Sequence, residues 1–148
     1  MVYNVLDFGA LGDGISNDTP AIQQAIDSCS MAGGGKVVLP GGKTYRAGSI
    51  ELRSYVELHL EMGALLKASD NLKDFDLFDQ NDSAPEASEV PTYDNSEYNG
   101  TPSYFFIYGK DLENVAITGF GKIDGNEEIF YGEVTPWHIQ GAFYPRVP

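Results

Sequence analysis

Residues 48–69 read Gly48-Ser-Ile-Glu-Leu-Arg-Ser-Tyr-Val-Glu-Leu-His-Leu-Glu-Met-Gly-Ala-Leu-Leu-Lys-Ala-Ser69, and their spacing decides the fold. Apolar side chains occupy every second position, Ile50 and Leu52 and then Val56, Leu58 and Leu60. That is the period of a strand with one buried face. Glu51, Glu57, His59 and Glu61 fall on the opposite face. Arg53-Ser54-Tyr55 breaks the pattern once, and Met62-Gly63 breaks it again before Ala64-Leu65-Leu66. A hairpin would need a turn pair such as Asn-Gly, whereas strands bent at single polar or glycine positions suit the corners of a coil. A solenoid of short strands is the expectation.

Working outward, Glu113-Asn-Val-Ala-Ile-Thr-Gly-Phe-Gly-Lys-Ile-Asp-Gly125 repeats residues 54–66, with Val115 on Val56, Ile117 on Leu58, and Ile123 one residue out of step with Leu65. Internal repetition of this kind marks stacked units. Upstream, a helix is expected from Asp18 to Met31, because Ile22, Ala25, Ile26, Cys29 and Ala32 recur on one face. Asn17, Asp18 or Thr19 can accept its first amide hydrogens, Pro20 suits its first turn, and Gly33-Gly34-Gly35 ends it. One amphipathic helix ahead of a run of strands fits a lid over the first apolar cross-section of a solenoid. Val5-Leu6-Asp7-Phe8-Gly9-Ala10 reads as a short strand, and Lys36 to Leu39, Tyr45 to Ala47 and Ser103 to Tyr108 read as further strands. The chain therefore divides, within one domain over 1–148, into a capping segment 1–35, first rungs 36–69, an acidic insertion 70–103 and further rungs 104–148.

Composition excludes several classes of partner. Nine Lys and Arg residues stand against 22 Asp and Glu, a net charge of −13, so neither nucleic acid nor an anionic membrane finds a basic surface here. No apolar run reaches the length of a membrane span. The N-terminus carries no basic segment followed by an apolar core, so either the chain stays in the cytoplasm or a signal has been removed from it. Cys29 is the single cysteine and reads as a buried, inert thiol. The triplets at Asn17, Asn81 and Asn99 read as chance matches to a glycosylation signal. Gly33-Gly34-Gly35-Lys36 follows a helix and precedes a strand, the reverse of a phosphate loop. Asp79, Asn81 and Ser83 alternate as calcium ligands would, but Ala84 stands at the sixth position where such a loop wants glycine, and Val90 at the twelfth where a bidentate Glu belongs. The acidic segment reads instead as a hydrated insertion anchored by Phe75, Phe78, Tyr93 and Tyr98. No metal and no cofactor is implied.

Asp7-Phe8-Gly9-Ala10, Gly12-Asp13-Gly14, Asn17-Asp18-Thr19 and Ala21-Ile22-Gln23 resemble the opening of pectate-lyase-like right-handed parallel β-helix proteins. Gly48 to Leu66, with Ile117 to Gly125, resembles more narrowly the N-terminal part of glycoside hydrolase family 28, the polygalacturonases. The resemblance implies an all-β, right-handed parallel β-helix with one N-terminal capping helix. It also implies, for whole family members, hydrolysis of pectic links with inversion. Inversion needs two carboxyl groups about 6.5–9.5 Å apart with a water between them. The family supplies these from an Asn-Thr-Asp motif and an Asp-Asp pair, supported by Gly-His-Gly and Arg-Ile-Lys, and none of the four occurs in this sequence. Asn17-Asp18-Thr19 has the letters in the wrong order at a helix start, and His59 and His138 read as strand-face and aromatic-loop residues. No catalytic residue is assigned, no substrate-binding residue is identified, and the chain alone is expected to be inactive.

A polygalacturonate site should be basic. The acidic balance implies that the groove lies in sequence beyond Pro148 or that the substrate carries less charge. The expected partners are a pectic glycan and either further copies or a companion chain that covers the last rung, where Val115, Ile117 and Ile123 would otherwise face water. Two alternatives stand beside the hydrolase: a non-catalytic glycan-binding module of the adhesin or tail-spike kind, and a lyase.

Overall fold

The computed structural model describes residues 1–76 and 105–126. In chain order its strands are β1 (Val2–Asn4), β2 (Asp13–Asn17), β3 (Gly35–Leu39), β4 (Thr44–Ala47), β5 (Ile50–Glu51), β6 (Val56–Leu60), β7 (Leu65–Ala68), β8 (Ile107–Tyr108), β9 (Ala116–Gly119) and β10 (Lys122–Asp124). One helix among the described residues, α1 (Thr19–Met31), lies between β2 and β3. Every strand pairing is parallel, and consecutive strands never pair with each other. The strands instead deal themselves out to three sheets: β1-β3-β6-β9, β2-β4-β7-β10 and β5-β8. A chain that visits three sheets in rotation and returns one strand further along each time is a parallel β-helix.

The register explains why the alternation seen in residues 48–69 is sufficient to build it. Parallel neighbours lie about 4.8 Å apart, so residues at matched positions stack side chain on side chain. Val37 pairs with Leu58 and Leu58 with Ile117 on the first sheet. Tyr45 pairs with Leu66 and Leu66 with Ile123 on the second. Val37, Tyr45, Leu58 and Leu66 are fully buried, and each such side chain contributes roughly 1.5–3 kcal/mol of hydrophobic stabilisation. The expected repeat thus has its partner for Ile117 as read, whereas Ile123 sits on Leu66. The corner 61–64 between β6 and β7 is longer than the corner 120–121 between β9 and β10, and the shorter turn advances the register.

Helix α1 starts and ends within a residue of the expected bounds. Ile22, Ala25, Ile26 and Cys29 have no exposure at all and pack against β1, β3, β5 and β6. At its start Asn17 Oδ1 accepts the Thr19 N–H at 3.0 Å, while Asp18 makes no cap. The Asp18 carboxylate, itself buried, turns back and accepts the N–H groups of Leu11 and Gly12 at 2.7 and 3.0 Å, fixing the glycine loop to the helix. At the far end Gly34, at φ 103°, donates its N–H to the Cys29 carbonyl. A Cβ there would lie 2.5 Å from the Tyr55 carbonyl oxygen, so only glycine lets the chain pass beneath the next rung. This run is a helix C-terminus and supplies no anion-binding amides.

Two expectations differ from the structure. Val5–Phe8 is a 3-10 helix rather than a strand, and the strand precedes it at Val2–Asn4. Asn4 nucleates the turn by accepting the Leu6 N–H at 3.0 Å, and Gly9 closes it in the left-handed region. The strand expected over Ser103 to Tyr108 is narrowed to Ile107–Tyr108; Ser103 and Tyr104 lie outside the described residues. The candidate calcium loop and His138 also lie outside them.

Candidate functional site

No catalytic group is assigned from the sequence, so the site is built from what the three faces present among the described residues. On the first sheet the outward residues form a polar ladder. Lys36 reaches Glu57 at 3.1 Å, the Thr118 hydroxyl donates to Glu57 at 2.6 Å, and His59 Nδ1 meets Thr118 Oγ1 at 2.7 Å. These bonds hold the Glu57 carboxyl below the usual range, the Thr118 hydroxyl first and Lys36 second. His59 is thus a strand-face residue tied to its neighbours along the stack.

The third sheet is different. Its outer face carries a cleft of about 330 Å³, floored by Glu51, Arg53 and Tyr108. Asn17 at the end of β2 and Thr19 and Gln23 in the first turns of α1 line one part of it, and Lys73, Asp74 and Asp76 from the turn after β7 line another. Glu51 and Tyr108 are register partners on β5 and β8, which is why both side chains reach the same face.

The helix wall is locked by bonds that imitate a strand. Among the described residues β5 pairs only with β8, leaving its cap-side edge without a strand. The Gln23 amide fills that edge: its Nε2 donates to the Glu51 carbonyl at 3.0 Å and its Oε1 accepts the Glu51 N–H at 2.9 Å. One rung edge is therefore satisfied by a single side chain. Thr19 Oγ1 accepts the Gly48 N–H at 2.7 Å, and Arg53 binds both Asp27 at 2.8 Å and Glu51 at 2.5 Å. The Asp27 bond raises the Arg53 pKa further, so the guanidinium is a permanent cation.

The opposite wall is equally fixed. Ser49 donates to the Phe105 carbonyl at 2.7 Å and accepts the Asp76 N–H at 2.8 Å. Arg46 holds Asp70 at 2.9 Å and Asp74 at 3.2 Å, and the Ser69 hydroxyl donates to Asp74 at 2.5 Å. The turn presses so closely that a Cβ on Gly48 would lie 1.6 Å from the Asp74 carbonyl oxygen. Tyr108 donates its hydroxyl to Asp76 at 3.2 Å. Burial first, and then the Glu51 and Asp76 charges, push its phenol well above the ordinary tyrosine range, so it remains a neutral donor.

Chemically this is a polar cleft lined by hydrogen-bonding side chains. Glu51 and Asp74 are committed to arginines, so the wall offers no free pair of carboxylates to divide acid and base roles. Among the described residues no three His, Cys, Asp or Glu side chains cluster to hold a metal. What the cleft does present is planar hydrogen-bonding groups around a phenol ring. Cys29 is buried and its thiol is pushed up by that burial, away from the reactive thiolate form. Sequence reasoning passed over Gln23, Arg53, Lys73 and Tyr108. The one available signal was the Arg53 break between two strands, read there only as a corner.

The family model described as rhamnogalacturonase A/epimerase, pectate lyase-like, matches residues 2–128. An exo-poly-alpha-D-galacturonosidase of Dickeya chrysanthemi is 35% identical over 130 residues, covering 84% of this chain and 19% of its own. A mannuronan C5-epimerase of Azotobacter vinelandii, AlgE1, is 35% identical over 136 residues, covering 92% of this chain and 9% of its own. Among solved structures, a family 28 exopolygalacturonase of Yersinia enterocolitica superposes with a TM-score of 0.65 at 34% identity, covering 85% of this chain and 21% of that one. The chain thus spans from 9% to 21% of the length of these three relatives.

Proposed function

The chain belongs to the rhamnogalacturonase A/epimerase, pectate lyase-like family, and from that premise we propose that it forms the capped end of a β-helix enzyme acting on uronate-containing polysaccharide. The observation that carries this reading is the polar cleft on the third sheet. That sheet face lengthens by one strand for every rung, about 4.8 Å each time, close to the advance of one sugar along a glycan. A polysaccharide lying across the strands would end against α1. The reaction is hydrolysis of a pectic glycosidic link with inversion, by a carboxylate pair that the described residues do not contain. Such a pair works only when rigidly held, since positioning is worth roughly 7–11 kcal/mol of barrier.

A second reading is favoured by the 35% identity to a mannuronan C5-epimerase over 92% of the chain, namely inversion of a sugar carbon without chain cleavage. The protein that carries this chain, incubated with polygalacturonate and with mannuronan, separates the two. New reducing ends on polygalacturonate without unsaturated uronate ends support the hydrolase, new reducing ends with them support the lyase, altered proton spectra of mannuronan without new ends support the epimerase, and no change in either glycan leaves a binding module. The 148-residue chain by itself is expected to turn over neither. Ile117 and Ile123 remain about two-fifths exposed and Phe120 more so, so we also expect light scattering on the isolated chain to reveal species above 16.1 kDa.

A further inference from the structure

We propose that the cleft at the capped end holds one uronate residue of the glycan, its carboxylate paired with the Lys73 ammonium and a ring hydroxyl on the Asp76–Tyr108 pair. The inference rests on the polysaccharide reading above and assigns the group that reads the sugar's charge.

The assignment follows from asking which charges in the cleft are already spent. Arg53 is held by Asp27 and Glu51, and Glu51 is held by Arg53 in return. Asp74 is held by Arg46 and Ser69. Lys73 lines the cleft, is exposed, and makes no ion pair among the described residues. In a chain of net charge −13 an uncommitted cation set into a polar cleft is a counter-ion position. Asp76 uses Oδ2 to accept from Tyr108, which leaves Oδ1 to accept from a sugar hydroxyl. The cleft's size restricts the occupant, since about 330 Å³ stands at the lower end of the range of ligand sites. The helix closes its cap side through Gln23 and Thr19, so the glycan cannot run on past it. An acidic protein thereby binds an acidic sugar without a basic groove, because one cation serves one carboxylate and its neighbours are neutralised internally.

Trigalacturonate and its methyl ester differ in charge and hardly in shape, which makes them the probes. Titrated into the full chain and followed by amide shifts at Gln23, Glu51 and Tyr108, the acid is expected to bind about two- to fivefold tighter than the ester, the value of one exposed ion pair. Lys73→Gln is expected to bring the acid down to the ester and leave the ester unchanged. Lys36→Gln, which alters a lysine paired on another sheet, should leave both unchanged. Equal binding of acid and ester by the unaltered chain, a preference that survives Lys73→Gln, or shifts confined to residues outside the cleft would overturn the assignment. Turnover of a uronate polymer by the larger protein without the acid preference would overturn the subsite alone. The preference without turnover of either polymer would support the subsite and remove the enzyme reading.

Discussion

Replacing Gln23 with alanine tests whether one helix side chain serves as a strand. Gln23 makes two bonds to the Glu51 backbone, at 3.0 and 2.9 Å, and a third to Asp27 at 3.1 Å. Alanine removes all three and leaves the Glu51 amide at the cap-side edge of β5 without its partner. Each neutral bond is worth about 0.5–1.5 kcal/mol net, so the two backbone bonds together predict a loss of about 1–3 kcal/mol. Gln24→Ala is the matched control, because Gln24 is exposed on the same helix and the gain in helix propensity is identical. With a urea slope of about 1–3 kcal/mol/M, the midpoint of Gln23→Ala should fall by about 1 M relative to Gln24→Ala. Gln23→Glu should not rescue it, since a carboxylate accepts the Glu51 N–H but cannot donate to the Glu51 carbonyl and adds a charge beside Asp27. Hydrogen exchange localises the effect: the Glu51 amide should exchange faster in Gln23→Ala, while the Leu58 amide on the first sheet should change only with global stability. Coincident urea midpoints for the two alanine variants, with Glu51 protection intact, would refute the strand-mimic reasoning.

Ile26→Ala should cost about 2–5 kcal/mol, because Ile26 has no exposure and α1 covers the first cross-section; a urea midpoint equal to that of Gln24→Ala would contradict the capping role. Gly48→Ala should displace the turn after β7 and cost about 1–3 kcal/mol, since its Cβ meets the Asp74 carbonyl, and loss of Asp76 and Tyr108 amide shifts on ligand addition would report the damage to the cleft. Thr118→Val should return the Glu57 carboxyl toward its ordinary range, measured by side-chain NMR titration, because the Thr118 hydroxyl is the main cause of its depression. A depressed carboxyl contributes stability that is present above the unfolded glutamate pKa of about 4.3 and is lost as pH falls through the folded value; the acid limb of the stability profile should therefore flatten in Thr118→Val.

The parts of the fold that were legible in the sequence are those governed by local period. Ile50, Leu52, Val56, Leu58 and Leu60 alternate because successive strand residues face opposite sides, and all five are buried as read. The helix was equally legible because its apolar stripe, its Pro20 and its glycine stop all act within a few residues. Val5–Phe8 differs because three apolar residues interrupted by Asp7 are compatible with either state, and the deciding group, the Asn4 side chain, acts on a single amide. The slip of Ile123 was invisible for a related reason: the length of a corner is set by how two turns stack, and two turns of different length still place Leu66 and Ile123 in one column.

The cleft was illegible for a deeper reason. Its residues come from separate elements, so no spacing joins them. Gln23 is half-buried at the border of the helix's apolar stripe, Arg53 looks like a corner, and Tyr108 looks like one aromatic residue among several. What makes them a site is a consequence of stacking. A β-helix must close its first rung, and a helix packed against strands of the first and third sheets cannot pair with every open strand edge. Here the shortest sheet, two strands of two residues each, is the one whose edge is met by a side chain. A side chain satisfies one peptide where a strand would satisfy several, and the polar hollow beside it is lined by Thr19 and Arg53, both already bonded, and by the exposed Lys73. The cap therefore leaves a polar cleft at the end of one face and not of the other two, where β1 and β2 supply whole strands. Replacing Gln23 would disturb that surface and the fold together, whereas replacing Lys73, exposed and unpaired among the described residues, alters the surface alone.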